Sequence, residues 1–227
     1  MRKKAFSLAE VLITLFLIGI VAVMVVPLVF RSYTHNQWKV GLMKAYNVSS
    51  EALSRMRTED GENIWDRYGN YTKLGGHYND FATPFLSYFN GTFYNKTFYT
   101  FYPLGIIHRY TGGNLSGCTN WSAGGYTKQL NDGMLVGASV NSSTIVITID
   151  VNGQYKGPNT YGKDVFAFYV DPQKDRILPV GSSSQSGYAL CSKSLEGSSN
   201  NGMGCAYWAL LNKCPDDETK NYWDGLP

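Results

Sequence analysis

The chain has 227 residues, of which 16% are charged and 15% are aromatic, and its formal net charge is +3. Three basic residues at positions 2–4 supply that excess, because the remaining 17 of the 20 Lys and Arg balance the 17 Asp and Glu. This balance argues against a general nucleic-acid binder, which needs a basic surface. The length leaves room for one globular domain after the apolar N-terminal segment.

Residues 11–30 form an apolar run without a charged side chain. A helix of ~20 residues spans the ~30 Å hydrocarbon core of a bilayer, so this run is long enough to cross a membrane. The basic cluster at positions 2–4 precedes the run, and the positive-inside rule keeps such an end in the cytoplasm. We therefore expect residues after about Arg31 to lie outside the cytoplasm.

One carboxylate, Glu10, stands at the entrance of the apolar run, where an unpaired charge is costly. The segment around it reads Phe6-Ser-Leu-Ala-Glu10-Val-Leu-Ile-Thr-Leu15. This segment resembles the N-terminal processing and methylation motif of the type IV pilin and type II secretion pseudopilin superfamily. The resemblance covers roughly residues 1–30, with a weaker echo in the amphipathic segment that follows.

The resemblance implies that prepilin peptidase removes a leader by cutting between Ala5 and Phe6, and that the new amine of Phe6 is methylated. Ala5 stands where the family usually has Gly, and it keeps a small side chain. In an assembled filament the Phe6 amine of one subunit would neutralise Glu10 of its neighbour, so that the charge sets the register of assembly. Two alternatives remain, an uncleaved signal anchor with an incidental Glu10 and a cleaved secretory signal.

Gly19 and Pro27 lie inside the apolar run and weaken it as a straight helix. Proline removes one intrahelical hydrogen bond, and its ring clashes with the preceding turn. We therefore expect a kink or a locally melted segment near Pro27, and we count Pro27 among the residues that matter for assembly.

The helical signal continues after residue 30 in amphipathic form, with apolar or small residues every three to four positions and charged residues off that stripe. The pattern predicts one helix from near Phe6 to about Arg57, which Thr58-Glu-Asp-Gly61 ends. The predicted stripe consists of Trp38, Leu42, Ala45, Ser49, Ala52 or Leu53, and Met56.

These signals divide the chain into four predicted parts. Residues 1–5 are the leader, and residues 6–30 are the membrane or filament-core helix. Residues 31–57 continue that helix in amphipathic form, and residues 58–227 form a globular head outside the cytoplasm.

The head begins with its least regular part, residues 58 to about 125, which is dense in Tyr, Phe, Gly and Asn. We expect only loops and short elements there. The interpretation we favour is that its aromatic rings pack this insertion onto the sheet and the long helix. The alternative is a face that binds a partner or a glycan, since aromatic rings give large contact areas.

Strand signals follow from residue 126. Residues 126–130 and 134–140 read as a hairpin around Asp132-Gly133. Residues 145–151 alternate as a half-buried strand does, and residues 164–170 and 176–180 predict two more strands. Local connections predict an antiparallel meander. The fold class is therefore α+β, a long N-terminal helix packed on a meander sheet with a loop-rich insertion, which is also what the pilin resemblance implies.

All four cysteines, Cys118, Cys191, Cys205 and Cys214, lie in the part predicted to be outside the cytoplasm, where disulfides form. Four cysteines allow three pairings. We favour Cys191 with Cys205 across a Gly/Ser/Asn-rich loop, which leaves Cys118 to pair with Cys214. A zinc site is the competing interpretation, but the spacings do not suit it.

A loop between two predicted strands carries oxygen-bearing side chains at Asp150, Asn152, Asn159 and Asp164. Ca²⁺ prefers oxygen ligands, and Asp-x-Asn-Gly partly resembles the start of a calcium loop. The competing interpretation is purely structural: Asn152-Gly153 makes a turn, and the two aspartates cap loop amides.

The sequence shows no nucleophile elbow, P-loop, His-Glu-x-x-His or Gly-x-Gly-x-x-Gly pattern, and His35, His77 and His108 stand in no recognisable catalytic pattern. We therefore expect no enzyme and no required cofactor, with Ca²⁺ as the one candidate ion.

We expect a structural pilin or pseudopilin subunit, and the alternative is a membrane-anchored binding protein or adhesin that does not polymerise. The expected partners are copies of itself or other pilin-like subunits, prepilin peptidase, the inner-membrane assembly machinery, and the membrane before assembly. The expected location is the bacterial inner membrane, as a single-pass protein, and then a periplasmic or cell-surface filament.

Overall fold

The computed structural model describes residues 7–68, 80–101, 107–113, 126–141, 144–171, 173–182, 190–195, 197–198 and 200–227. It combines a long N-terminal helix with a six-stranded antiparallel sheet, which is an α+β, pilin-like arrangement. The predicted fold class is therefore confirmed. The chain divides into two compact units, residues 1–37 and 38–227.

The long helix, α1, runs from Leu8 to Asp60. Its C-terminal end lies three residues beyond the predicted one. Gly61 follows with φ +66° and donates its N–H to the carbonyl of Arg57 at 3.0 Å, which is how a glycine commonly closes a helix.

Pro27 lies inside α1, and the helix continues through it without interruption. The expectation of a melted segment is therefore wrong, and the kink stays a prediction. A proline removes a single hydrogen bond, whereas the apolar residues on either side favour the helix because it pairs their backbone groups internally.

In the second unit, one face of α1 is buried in the main core. Every position of the predicted amphipathic stripe is buried, so the periodicity of the sequence correctly placed this face. Gly41 is also buried there, although it is absent from the predicted stripe. The buried residues are Trp38, Gly41, Leu42, Ala45, Ser49, Ala52, Leu53 and Met56.

The sheet is a simple meander in which each strand pairs antiparallel with the next. The strands are β1 (Gly91–Tyr94), β2 (Tyr126–Leu130), β3 (Leu135–Asn141), β4 (Thr144–Asp150), β5 (Val165–Asp171) and β6 (Arg176–Pro179). The five predicted strands correspond to β2, β3, β4, β5 and β6, while β1 falls in the segment where only loops and short elements were expected.

The turn between β2 and β3 is built on Asp132-Gly133, as the sequence predicted. Gly133 has φ +95°, and its N–H donates to the carbonyl of Leu130 at 3.0 Å. Asp132 Oδ1 accepts the N–H of Met134 at 3.0 Å. Asp132 also forms a 2.6 Å ion pair with Lys44, which links this turn to α1.

The central strands are buried on both faces. Ile145, Ile147 and Ile149 of β4 belong to the core that contains α1, while Val146 lies in a second core on the opposite face. The prediction of a half-buried strand is therefore wrong. The second face is covered by residues far apart in sequence, among them Phe98, Ile107, Tyr161 and Met203.

Short helices complete the described head: α2 (Ile64–Tyr68), α3 (Ala82–Ser87), a 3₁₀ helix (Phe98–Phe101) and α4 (Cys205–Leu211). The rings of Phe81 and Phe85 stack with centroids 5.0 Å apart, and Phe98 packs where Gly137 leaves room on β3. These described rings pack onto the core, as the favoured interpretation has it. Phe93 of the same segment is exposed, and residues 69–79, 102–106 and 114–125 lie outside the described residues.

Candidate functional site

The helix α1 begins with a reciprocal capping arrangement between Ser7 and Glu10. Glu10 Oε2 accepts the backbone N–H of Ser7 at 2.8 Å and its hydroxyl at 3.0 Å. The Ser7 Oγ accepts the N–H of Glu10 at 3.3 Å. This is a capping box, which satisfies amide groups that the first helical turn leaves unpaired. Glu10 is exposed, and it accepts both hydrogen bonds from Ser7 through the same carboxylate oxygen, Oε2.

The surface of α1 from Leu8 to Phe30 is apolar and exposed. The large apolar side chains of this segment are between 40% and 80% exposed. A surface helix of a globular protein exposes polar residues and buries one apolar stripe. Because apolar surface of this extent is unfavourable in water, this segment needs lipid or other apolar helices around it.

The one hydroxyl inside that segment is satisfied within the helix. Thr14 Oγ1 donates to the carbonyl of Val11 at 2.9 Å. Such a bond allows a threonine to face an apolar environment without an unpaired donor. The predicted processing residues Ala5 and Phe6 lie outside the described residues, so the structure does not place them next to Glu10.

Two buried carboxylates bound the loop between β4 and β5, since Asp150 ends β4 and Asp164 directly precedes β5. Asp150 Oδ1 accepts the backbone N–H groups of Asn152 and Gly153 at 3.1 and 2.8 Å. The two oxygens of Asp164 accept the N–H groups of Asn159 and Thr160 at 2.8 and 2.7 Å. Both aspartates are fully buried and cap the loop backbone. Burial and the nearby Asp150 carboxylate raise the pKa of Asp164, while backbone hydrogen bonds oppose that rise.

The amide side chains of the same loop are turned inward. Asn152 Nδ2 donates to the carbonyl of Lys156, and Asn159 Nδ2 donates to the carbonyl of Gln154 at 3.1 Å. The side-chain oxygens of Asn152, Gln154 and Asn159 are buried and accept no hydrogen bond. The structure thus brings the four sequence-predicted loop residues onto one short loop and adds Gln154 to them. Among the described residues, no group of three His, Cys, Asp or Glu side chains could hold a metal.

Comparison with known protein families bears on the N-terminal segment. Residues 1–26 match the family model described as the prokaryotic N-terminal methylation motif. The chain carries the type IV pilin and pseudopilin signature. Neither the curated proteins nor the solved structures gave a match.

The pilin signature implies processing by prepilin peptidase and assembly with other pilin subunits, and it points to a structural rather than an enzymatic protein. Within the described part of the chain, α1 is the one helix whose length and apolar composition would allow it to cross a membrane. The most apolar stretch of that helix is not buried by the rest of the protein. The signature and the helix together fit membrane anchoring before assembly.

The cysteines of the described head form one disulfide. Cys191 is bonded to Cys205, with their Cα atoms 4.9 Å apart, which is the pairing that the sequence favoured. Cys214 is buried and forms no disulfide with another cysteine of the described residues. Its predicted partner, Cys118, lies outside the described residues, so the second pairing stays a prediction.

The sequence analysis missed two contributors to these sites. The capping role of Ser7 could have been found, because Ser-x-x-Glu ahead of an apolar run is the capping-box pattern. No sequence pattern marks Gln154, because its burial depends on the tertiary fold of the loop. The two described histidines, His35 and His108, lie far apart in sequence, and His77 lies outside the described residues.

Proposed function

We propose that this chain is a structural subunit of a type IV pilus-like or type II secretion-like filament, assembled through its apolar N-terminal helix. The observation that carries the proposal is the exposed apolar surface from Leu8 to Phe30, joined to the matched methylation motif. A helix that is apolar on all sides is stable only in lipid or among other helices. A membrane supplies the first environment, and neighbouring subunits supply the second.

The topology proposed for the precursor has the basic residues at positions 2–4 in the cytoplasm and the head outside it. The positive-inside rule supports this orientation. The disulfide between Cys191 and Cys205 supports it independently, because such bonds persist in oxidising compartments.

The proposed role of Glu10 is to set the register between subunits. In the described helix its carboxylate caps the first turn through one oxygen, so its charge is not neutralised by these bonds. Moving that charge among apolar helices is costly unless a cation pairs with it. The mature N-terminal amine of a neighbour, on Phe6, is the cation that the pilin resemblance implies.

The test expresses the full chain together with prepilin peptidase and a filament-assembly machine. Mass spectrometry should find a mature form that begins at an N-methylated Phe6, and immunoblots should find the chain in the sheared-fibre fraction. A strain without the assembly ATPase is the control, and there the processed chain should stay in the membrane fraction. An intact N-terminus, with all of the chain in the membrane fraction of the complete strain, would contradict the proposal and favour a membrane-anchored binding protein that does not polymerise.

A further inference from the structure

We propose that the heads of neighbouring subunits meet end to end, with the tip of the β4–β5 loop of one copy on the acidic end of a second copy. The tip consists of residues 155–158, and the acidic end consists of Glu59, Asp66 and Asp80. The inference rests on the proposed filament function, since it names the surfaces through which copies of the head contact each other.

The tip belongs to the end of the head at which α1 enters the core. A methyl group on Gly41 would come within 2.9 Å of the Cβ of Val151, which directly follows β4. Lys44 forms a 2.6 Å ion pair with Asp132 of the β2–β3 turn. The β4–β5 loop and that turn therefore both lie beside residues 41–44 of α1.

The acidic end lies beside the last turn of α1. Tyr68 and Asp66 both belong to α2, and the Tyr68 hydroxyl donates to Asp60 of α1 at 3.0 Å. Burial, the Asp60 carboxylate and, to a smaller extent, the Asp80 carboxylate raise the pKa of Tyr68 to about 12, so Asp80 lies near the same ring. A helix rises 1.5 Å per residue, so Gly41 and Asp60 are about 28 Å apart along α1. The two surfaces thus lie at opposite ends of the head.

The tip is held in one shape and presents an aromatic ring. The carbonyl of Gly153 accepts the N–H of Lys156 at 3.0 Å, which closes a four-residue turn. Asn159 Nδ2 donates to the carbonyl of Gln154 at 3.1 Å and ties that turn to the rest of the loop. Tyr155 lies inside the turn and is 82% exposed. A tyrosine on a fixed turn loses little conformational entropy when a partner covers it.

The charge that the tip presents is positive. Lys156 is the charged residue of the tip, and Lys39 and Lys163 lie at the same end of the head. The two carboxylates of the loop, Asp150 and Asp164, are fully buried and accept backbone N–H groups, which offset part of their charge. A partner that approaches the tip therefore meets an exposed ammonium beside an exposed ring.

The acidic end presents negative charge. Asp66 and Asp80 are exposed and form no ion pair within the described part of the chain. Glu59 is exposed as well. Together these carboxylates outweigh the exposed cations of this end, Arg57 and Arg176. Charge complementarity therefore matches the tip of one copy to the acidic end of another.

The placement of the two surfaces suits a filament. A contact between two different surfaces of the same subunit repeats from copy to copy and, unless it closes a ring, builds an open helical assembly. Exposed ion pairs contribute little binding energy, so this contact sets the orientation of the heads while the apolar helices supply most of the cohesion.

The test expresses full-length variants with prepilin peptidase and the assembly machine, and it measures the fraction of each chain in sheared fibres. Lys156→Glu and Asp66→Lys should each lower that fraction about threefold or more, because each change sets like charges against each other. The double variant with both changes should recover most of the loss, since it exchanges the signs of both surfaces. Lys96→Glu is the matched control, because it reverses an exposed lysine outside both surfaces, and it should enter fibres at the unaltered level.

Tyr155→Ala tests the tip without a change of charge. It should lower the fibre fraction about threefold or more, because it removes the aromatic ring from the contact. Since Tyr155 is 82% exposed in the single head, the melting temperature of this variant in detergent should stay within about 2 °C of the unaltered value.

Unaltered fibre fractions for Lys156→Glu, Asp66→Lys and Tyr155→Ala would overturn this inference and leave the filament proposal in place. A double charge variant no better than the single ones would overturn it as well, because the loss would then not come from opposed charges. Absence of the unaltered chain from fibres would instead contradict the filament proposal itself, on which the end-to-end contact depends.

Discussion

Gly41 of α1 lies so close to Val151 that a methyl group at position 41 would come within 2.9 Å of the Val151 Cβ. The glycine thus lets the helix backbone rest directly on the residue that begins the β4–β5 loop. Glycine inside a helix normally weakens it by about 1 kcal/mol relative to alanine. The close approach explains why glycine stands here inside a helix.

Gly41→Ala should therefore destabilise the head, although the same exchange favours an unpacked helix. Overpacking a tight contact costs about 1–3 kcal/mol, and the gain in helix propensity offsets about 1 kcal/mol of it. We expect a net loss of up to about 2 kcal/mol in the free energy of unfolding, measured by denaturant titration in detergent. Gly19→Ala is the control in the same helix, because nothing lies within 4 Å of a methyl group there. A Gly41→Ala chain as stable as the control would show that the contact is loose.

The hydroxyl of Tyr222 should stabilise the turn before β5. It is buried and donates to the carbonyl of Gly162 at 2.6 Å. Tyr222→Phe leaves that carbonyl without its donor, which costs about 1–3 kcal/mol in a buried site. Tyr155→Phe is the matched control, since Tyr155 is 82% exposed. Chemical unfolding should separate the two variants, and equal stabilities would argue against the bond.

The disulfide between Cys191 and Cys205 should contribute about 3 kcal/mol, because it closes a loop whose cysteines are 14 residues apart. The double variant Cys191→Ser and Cys205→Ser should lose that amount in unfolding measurements without reductant. Reductant should destabilise the unaltered chain by at least that amount.

The same double variant also tests the predicted pairing of Cys118 with Cys214. If that second disulfide forms, reductant should lower the stability of the double variant further, and non-reducing peptide mapping should recover the linked peptides. Two free thiols in the map would contradict the second pairing.

The sequence predicted those parts of the fold whose signal is local and periodic. The buried stripe of α1 from Trp38 to Met56 follows from the helical repeat, and the β2–β3 hairpin follows from Asp132-Gly133 between alternating runs. The burial of β4 on both faces was not predictable in this way. Its second cover comes from Phe98, Ile107 and other residues that only the tertiary fold brings together.

The candidate sites also combine residues with a local sequence signal and residues that only the tertiary fold reveals. Glu10 stood out because a charge next to an apolar run needs an explanation, and its cap on Ser7 has a readable pattern. The oxygen-bearing side chains of the β4–β5 loop could be read from the sequence. The unpaired side-chain oxygen of Gln154 could not, because it results from the burial of that residue in the folded loop. Strand β1 was missed because Gly91–Tyr94 is short and largely exposed, so it shows no alternation.

The register role of Glu10 can be separated from its capping role. Glu10→Gln keeps an acceptor for the N–H of Ser7, because glutamine also completes a capping box, but it removes the charge. Ser7→Ala keeps the charge and removes the hydroxyl contacts. Glu62→Gln is the control for loss of an exposed carboxylate elsewhere.

The most direct test measures how much of each variant enters sheared fibres, relative to the amount in membranes. Glu10→Gln should fall about tenfold or more, since the loss of a paired charge in an apolar core exceeds the ~1.4 kcal/mol that a tenfold change requires. Ser7→Ala and Glu62→Gln should enter fibres at close to the unaltered level. Incorporation of Glu10→Gln at the unaltered level would contradict the account.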